Sequence, residues 1–204
     1  HKIDFSAPWK KLTMMEAVFE ATGIDFGKIK SDTEAKKQAS KLKVDLKPYQ
    51  NTWGLILAAI FEEKAEQQLI QPTVIYDFPT ETSPLAKRAK DPRFVERFEH
   101  FIGGMEASNN YSELNDPADL AERFKDERKK EMLGEEEAHQ TDTDFIEALE
   151  YGMPPTSGIG PSMDRLVMVL TDSATIKDVI LFPTLRPKYQ PSHSESDISS
   201  RTRK

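Results

Sequence analysis

The stretch Glu150-Tyr-Gly-Met-Pro-Pro-Thr-Ser-Gly-Ile-Gly-Pro-Ser-Met-Asp-Arg165 puts a glycine-rich strand end directly before a helix whose first turn carries Asp164 and Arg165. A backbone with Gly158 and Gly160 lets a flat base or sugar approach closely, because no side chain intervenes. Arg165 adds a rigid fork of donors that suits phosphate oxygens. The pattern predicts a nucleotide site built where a strand passes into a helix.

Working outward, the upstream stretch Arg97-Phe-Glu-His-Phe-Ile-Gly-Gly-Met-Glu-Ala-Ser-Asn-Asn-Tyr-Ser-Glu-Leu-Asn-Asp116 supplies regularly spaced carboxylates of the kind a magnesium nucleotide needs. From Phe94 to Gly104, Phe98, His100 and Ile102 alternate against Arg97, Glu99 and Phe101, which predicts a strand. Glu99 and Glu106 then fall on a strand-turn-strand unit, and Asn109, Tyr111 and Glu113 share one face of its second strand. Solvated strand glutamates, and Tyr111 as plain core, are the structural alternatives.

With Pro8 to Met15, Leu69-Ile-Gln-Pro-Thr-Val-Ile-Tyr76, Thr82-Ser-Pro-Leu-Ala86 and Asp178-Val-Ile-Leu-Phe-Pro183, the chain from about Ile3 to Pro187 resembles the later part of the catalytic domain of class II lysyl-tRNA synthetases. The resemblance implies an α+β fold: an antiparallel class II sheet flanked by helices, with a helical insertion near the N-terminus. It makes residues 150 to 165 the family's motif 3, with Arg165 catalytic and placed on ATP. Glu99 and Glu106 match the glutamates that hold Mg2+ against the phosphates. Asn109, Tyr111 and Glu113 match the lysine pocket, Glu113 pairing a desolvated ammonium and Tyr111 walling it. ATP contacts would come from Glu99, Glu106, Asn109, Gly158, Gly160 and Arg165.

The implied parent is a cytoplasmic ligase, homodimeric through an upstream motif 1, that activates lysine with ATP and transfers it to tRNA(Lys). Motif 1, the motif 2 arginine and the anticodon-binding barrel lie outside this sequence, so the chain reads as a fragment, inactive by itself. Some positions depart from the family pattern: Ser162 replaces a third glycine, Ser108 and Asn110 stand where small residues are common, and Met105 stands at a frequent arginine. These departures keep two other readings open, a non-catalytic paralogue and an enzyme that modifies a protein lysine.

Composition narrows the classes further. At 204 residues, with 31% charged and 37% hydrophobic, the chain is long enough for one sizeable, well-solvated domain. No run approaches the roughly 18 to 20 apolar residues of a membrane span. A net charge of −7 excludes nucleic-acid binding across the whole surface and leaves only local tRNA contact. The absence of cysteine excludes disulfides and thiolate metal sites and fits a reducing compartment. The four histidines, His1, His100, His139 and His193, are scattered and suggest no metal site, and His100 faces away from Glu99, as a packing residue would.

Local signals outline the elements. Thr13 and Glu16 form a capping-box pattern before a helix ended by Gly23, Ser31 and Glu34 begin a second, and Thr52 to Leu69 carries apolar residues at helical spacing. A helical region over about 12 to 70 therefore precedes a sheet and motif 3 region over 71 to 187. Asp116-Pro117 starts a helix to about Met132, Asp144 to Tyr151 forms a short one, and Met163 to Leu170 another. Val179 to Phe182 reads as a last strand, and the serine-rich residues 188 to 204 as a disordered tail.

Overall fold

The computed structural model describes residues 1 to 184; the expected tail lies outside them. Strand β1 (Lys10–Thr13) runs straight into helix α1 (Met14–Thr22). Thr13 caps α1 through a complete capping box with Glu16, and Gly23 closes it with φ of 75°. Ser31 caps α2 (Asp32–Lys41) and Thr52 caps α3 (Trp53–Ile60), which continues through a π turn at Phe61–Ala65 and a 3-10 turn at Glu66–Gln68. Then come β2 (Thr73–Pro79), β3 (Phe94–Ile102) and β4 (Met105–Ser112). Helices α4 (Pro117–Met132) and α5 (Thr143–Glu150), β5 (Ser157–Pro161) and α6 (Met163–Thr171) complete the elements that position the site.

The five strands form one sheet in the order β1-β2-β3-β4-β5. Three pairings are antiparallel, as expected, but β1 runs parallel to β2. This strand escapes sequence reading because Lys10-Lys-Leu-Thr13 has neither alternation nor turn signals before the helix begins. A second correction concerns Val179 to Phe182. The chain there is irregular, follows a 3-10 turn at Ile176–Asp178, and leaves Leu181 and Phe182 exposed. An apolar β-branched run becomes a strand only where an edge pairs with it, and no described strand does.

Cross-strand partners share a face, so Ile75, Glu99, Asn109 and Gly160 lie on one side of the sheet, and Tyr76, Phe98, Asn110 and Ile159 on the other. Helices α1 to α3 pack on the first side. Their core joins Val18, Phe26, Ile56, Leu57 and Ile60 to Ile75 and Phe101. A smaller cluster of Leu114, Leu120, Phe124 and Leu149 holds α4 and α5 together. The same sheet face is thus apolar over β1, β2 and the ends of β3, where Val95 and Phe101 join the core, and polar over the middle of β3 and over β4 and β5. No helix of the described residues is long and apolar enough to cross a membrane.

Candidate active site

Residues Gly103 and Gly104, at φ of 64° and 75°, make the tight turn between β3 and β4. Glu99 faces Asn109, and strict alternation from there would turn Glu106 to the opposite side. A bulge prevents this: His100 pairs with Ser108 but Phe101 pairs with Glu106, leaving Ala107 as the extra residue. Glu99, Glu106 and Asn109 consequently share one face.

Arg97 organises this face. Its Nε donates to Asn109 Oδ1 at 3.1 Å, its Nη1 to Ser83 Oγ at 2.8 Å and to the Thr82 carbonyl at 3.2 Å, and its Nη2 to Glu99. The guanidinium also lies 4.6 Å from the Phe78 ring centroid. Even with that cation beside it, Glu99 is pushed up to about 7, chiefly by burial and further by Glu106 and Glu66. Glu66 is itself raised, first by burial, then by Glu62 and Glu106, with Arg165 opposing.

Arg165 reaches the site from the first turn of α6. Its Nη1 donates to the Glu106 carbonyl at 2.8 Å and to the Glu106 carboxylate at 3.1 Å. Ser162, where the family pattern has glycine, is the N-cap of α6, its hydroxyl accepting from the Arg165 N–H at 3.4 Å. The serine therefore holds the helix that carries Arg165.

The two motif glycines have a packing reason. A Cβ at Gly158 would sit 2.5 Å from Glu113 Oε1, and one at Gly160 would sit 3.0 Å from the Asn109 carbonyl. Glu113 lies one residue past β4, bridged to Ala86, so its carboxylate and Tyr111 meet at the Gly158 end of the face. Burial raises both Glu113 and Tyr111, and the neighbouring Glu113 raises Tyr111 further. Tyr111 also packs against the main core.

The structure thus places Glu99, Glu106, Asn109, Tyr111, Glu113, Gly158 and Gly160 along one face of β3 to β5, with Arg165 joining it at Glu106. His100 is on the reverse side, edge-on to Trp9 and Phe98 at 5.5 Å, in the packing role its alternation predicts. Among the described residues, no group of three or more His, Cys, Asp or Glu side chains is arranged to hold a metal. Sequence reading gave no role to Arg97, although its position two before Glu99 on the same strand was the available signal. Glu66 carried no such signal, because α3 and its continuation bring it there through tertiary packing.

The chain matches the class II tRNA synthetases (D, K and N) over residues 1–186. It is 52% identical over 188 residues to the lysine-tRNA ligase of Thermoanaerobacter pseudethanolicus, covering 92% of this chain and 38% of that protein. The lysine-tRNA ligases of Clostridium acetobutylicum and Staphylococcus aureus MRSA252 are also 52% identical, over 189 and 187 residues, in each case 91% of this chain and 37% and 38% of theirs. The chain therefore spans well under half the length of these curated relatives.

Proposed function

The chain belongs to the class II tRNA synthetases of the D, K and N group, and from that premise we infer that it is the lysine- and ATP-binding part of a lysine-tRNA ligase. The observation that carries this reading is the convergence of Glu99, Glu106, Asn109, Tyr111 and Glu113 on one sheet face beside Arg165. The parent ligase, a cytoplasmic homodimer, joins lysine to ATP as lysyl-adenylate with loss of pyrophosphate, then passes the lysyl group to tRNA(Lys).

Each residue has a physical task. Glu113 pairs the lysine ε-ammonium, Tyr111 walls the aliphatic stem, and Asn109, held by Arg97, offers its amide nitrogen, which has no partner among the described residues. Arg165 directs Nε and Nη2, which have no partner among the described residues, at phosphate oxygens. Gly158 and Gly160 keep the floor low enough for an adenylate to lie on it.

Magnesium fits the donor set. Glu99 and Glu106 are hard oxygen donors on neighbouring strands, and each gives one carboxylate oxygen to an arginine and keeps the other. Bound there, the ion would supply positive charge against the phosphates.

Adenylation requires the two reactants to be positioned and the α-phosphate charge neutralised. We assign the latter to an arginine contributed by the rest of the ligase, because Arg97 is committed to Glu99, Asn109 and Ser83, and Arg165, with one nitrogen on Glu106, is a single fork for the remaining phosphate oxygens. Loss of one such donor costs about 100- to 1,000-fold. Lysine-dependent pyrophosphate exchange by this chain alone, at the rate of a whole ligase, would refute the assignment.

Calorimetric titration with a non-hydrolysable lysyl-adenylate analogue, with and without magnesium and with the aspartyl analogue as control, tests the binding reading. Selective, magnesium-assisted binding that Glu113→Ala abolishes is expected. Equal binding of both analogues would overturn it.

A further inference from the structure

Arg123 stands on α4 and is only 4% exposed. Its Nε and Nη2 fork the Asp119 carboxylate at 3.1 Å and 3.0 Å, which neutralises the buried charge within its own helix. Its Nη1 leaves the helix and donates to two carbonyls of a separate turn, Ser83 at 2.9 Å and Ala86 at 2.8 Å. Arg88 shares Asp119, with its Nη2 at 2.9 Å, and bonds neither carbonyl.

The Ser83–Ala86 turn meets the site at two points. On one side Ala86 faces Glu113: the Lys87 N–H donates to the Ser112 carbonyl at 2.8 Å and the Leu114 N–H to the Leu85 carbonyl at 2.9 Å, so these two bonds bracket Glu113 just past the end of β4. On the other side the Ser83 hydroxyl and the Thr82 carbonyl accept from Arg97, whose Nε holds Asn109. Among the described residues, Arg123 is the one donor to the Ala86 carbonyl, and Ala86 is 1% exposed. A buried carbonyl that loses its donor is costly, and the turn can hydrate it only by shifting, which would carry Leu85 and Lys87 away from β4.

We propose that Arg123 is a positioning residue for the lysine end of the site: by drawing the Ser83 and Ala86 carbonyls onto one nitrogen it keeps the turn paired with β4, and so holds Glu113 and, through Arg97, Asn109 in place. The inference rests on reading Glu113 and Asn109 as part of the lysine pocket.

The test uses the full chain with Arg123→Met, Arg123→Lys and, as control on the same acid, Arg88→Met. One readout is amide hydrogen exchange by NMR at Lys87 and Leu114, compared with Ser162, which bonds the Ala107 carbonyl near the other end of β4. The other is calorimetric affinity for the lysyl-adenylate analogue. In Arg123→Met, Lys87 and Leu114 exchange about tenfold faster relative to Ser162, and analogue affinity falls about tenfold, the scale of one lost hydrogen bond. Arg123→Lys, whose ammonium can stand where Nη1 stands but cannot fork Asp119, restores both readouts while remaining less stable to urea than the wild type. Arg88→Met loses stability and moves neither readout.

Exchange that rises equally at Lys87, Leu114 and Ser162 would mean that Arg123 only stabilises the fold, and would overturn the proposal. Unchanged analogue affinity in Arg123→Met, with a wild type that binds, would overturn it too. A wild-type chain that binds no analogue refutes the lysine reading, while the exchange ratio still decides whether Arg123 holds the turn. Should Arg123→Met not fold, Asp119→Asn loosens the fork that aims Arg123 and is expected to speed Lys87 and Leu114 relative to Ser162; no such rise overturns the proposal.

Discussion

Replacing Glu99 with glutamine should make the protein more stable at alkaline pH. A carboxyl that titrates at about 7 in the folded chain instead of its ordinary 4.5 is held in its protonated form by folding. The sign follows from linkage: below about pH 4.5 both states carry the proton, and the contribution is fully present. As pH rises from about 4.5 to 7 the unfolded chain releases the proton first, and stability falls until the folded group ionises too. The total loss is about 3 kcal/mol, because each pK unit corresponds to about 1.4 kcal/mol. Glutamine keeps the shape and a carbonyl for Arg97 but cannot ionise. Urea unfolding of both proteins between pH 4 and 9 should therefore give a difference that grows with pH and levels off above 7. Magnesium at pH 8 should recover part of the loss in the wild type and nothing in Glu99→Gln. A difference that does not change with pH would show that Glu99 is not the destabilised acid, and the desolvation argument would fail with it.

Gly158→Ala should cost little stability, since the Glu113 carboxylate that a Cβ would strike is the end of a flexible side chain. It should nevertheless weaken lysyl-adenylate analogue binding at least about tenfold in calorimetry, because Glu113 must leave its place. Arg97→Met should destabilise by about 3–5 kcal/mol in urea unfolding at pH 8, since it takes the partner from buried Glu99, which must then hold a proton at that pH, and leaves Ser83 and Asn109 without their donor. Arg97→Lys should recover only part of this, because one ammonium cannot serve Asn109, Ser83 and Glu99 in the same fork. Thr13→Ala should cost about 1 kcal/mol through loss of the capping box, measured by thermal unfolding.

Signals complete within a few residues were legible. Thr13 and Glu16, Asp116-Pro117, and the positive φ of Gly23, Gly134 and Gly152 mark helix ends where the structure has them. Features that need a distant partner were not. Lys10–Thr13 becomes a strand only because Thr73–Tyr76 lies beside it, and Val179 to Phe182 stays irregular because no described strand lies beside it. The site divides in the same way. The carboxylates, Tyr111 and Arg165 stand out by type and spacing. The bulge at Ala107 does not, because alternation alone sends Glu106 to the wrong face. The Ser162 cap is similarly hidden: a serine in a glycine pattern looks like an obstruction until the helix beginning at Met163 shows what its oxygen accepts.

The electrostatics of the face explain why ligands are expected there. Among the described residues, Arg97 and Arg165 are the cations set against Glu66, Glu99, Glu106 and Glu113, and three of the four carboxyls are raised, each with burial as the leading cause. A face this short of cations is costly in the ligand-free chain and is relieved by bringing cations in. The proposed chemistry brings two, magnesium beside Glu99 and Glu106 and the lysine ε-ammonium beside Glu113. Magnesium would then bind more tightly as pH rises and Glu99, which titrates at about 7, ionises, and proton release should accompany magnesium binding at pH 6 and fade by pH 9. Calorimetry in buffers of different ionisation enthalpy counts those protons. Release that is absent at pH 6 would mean that magnesium settles elsewhere on the molecule.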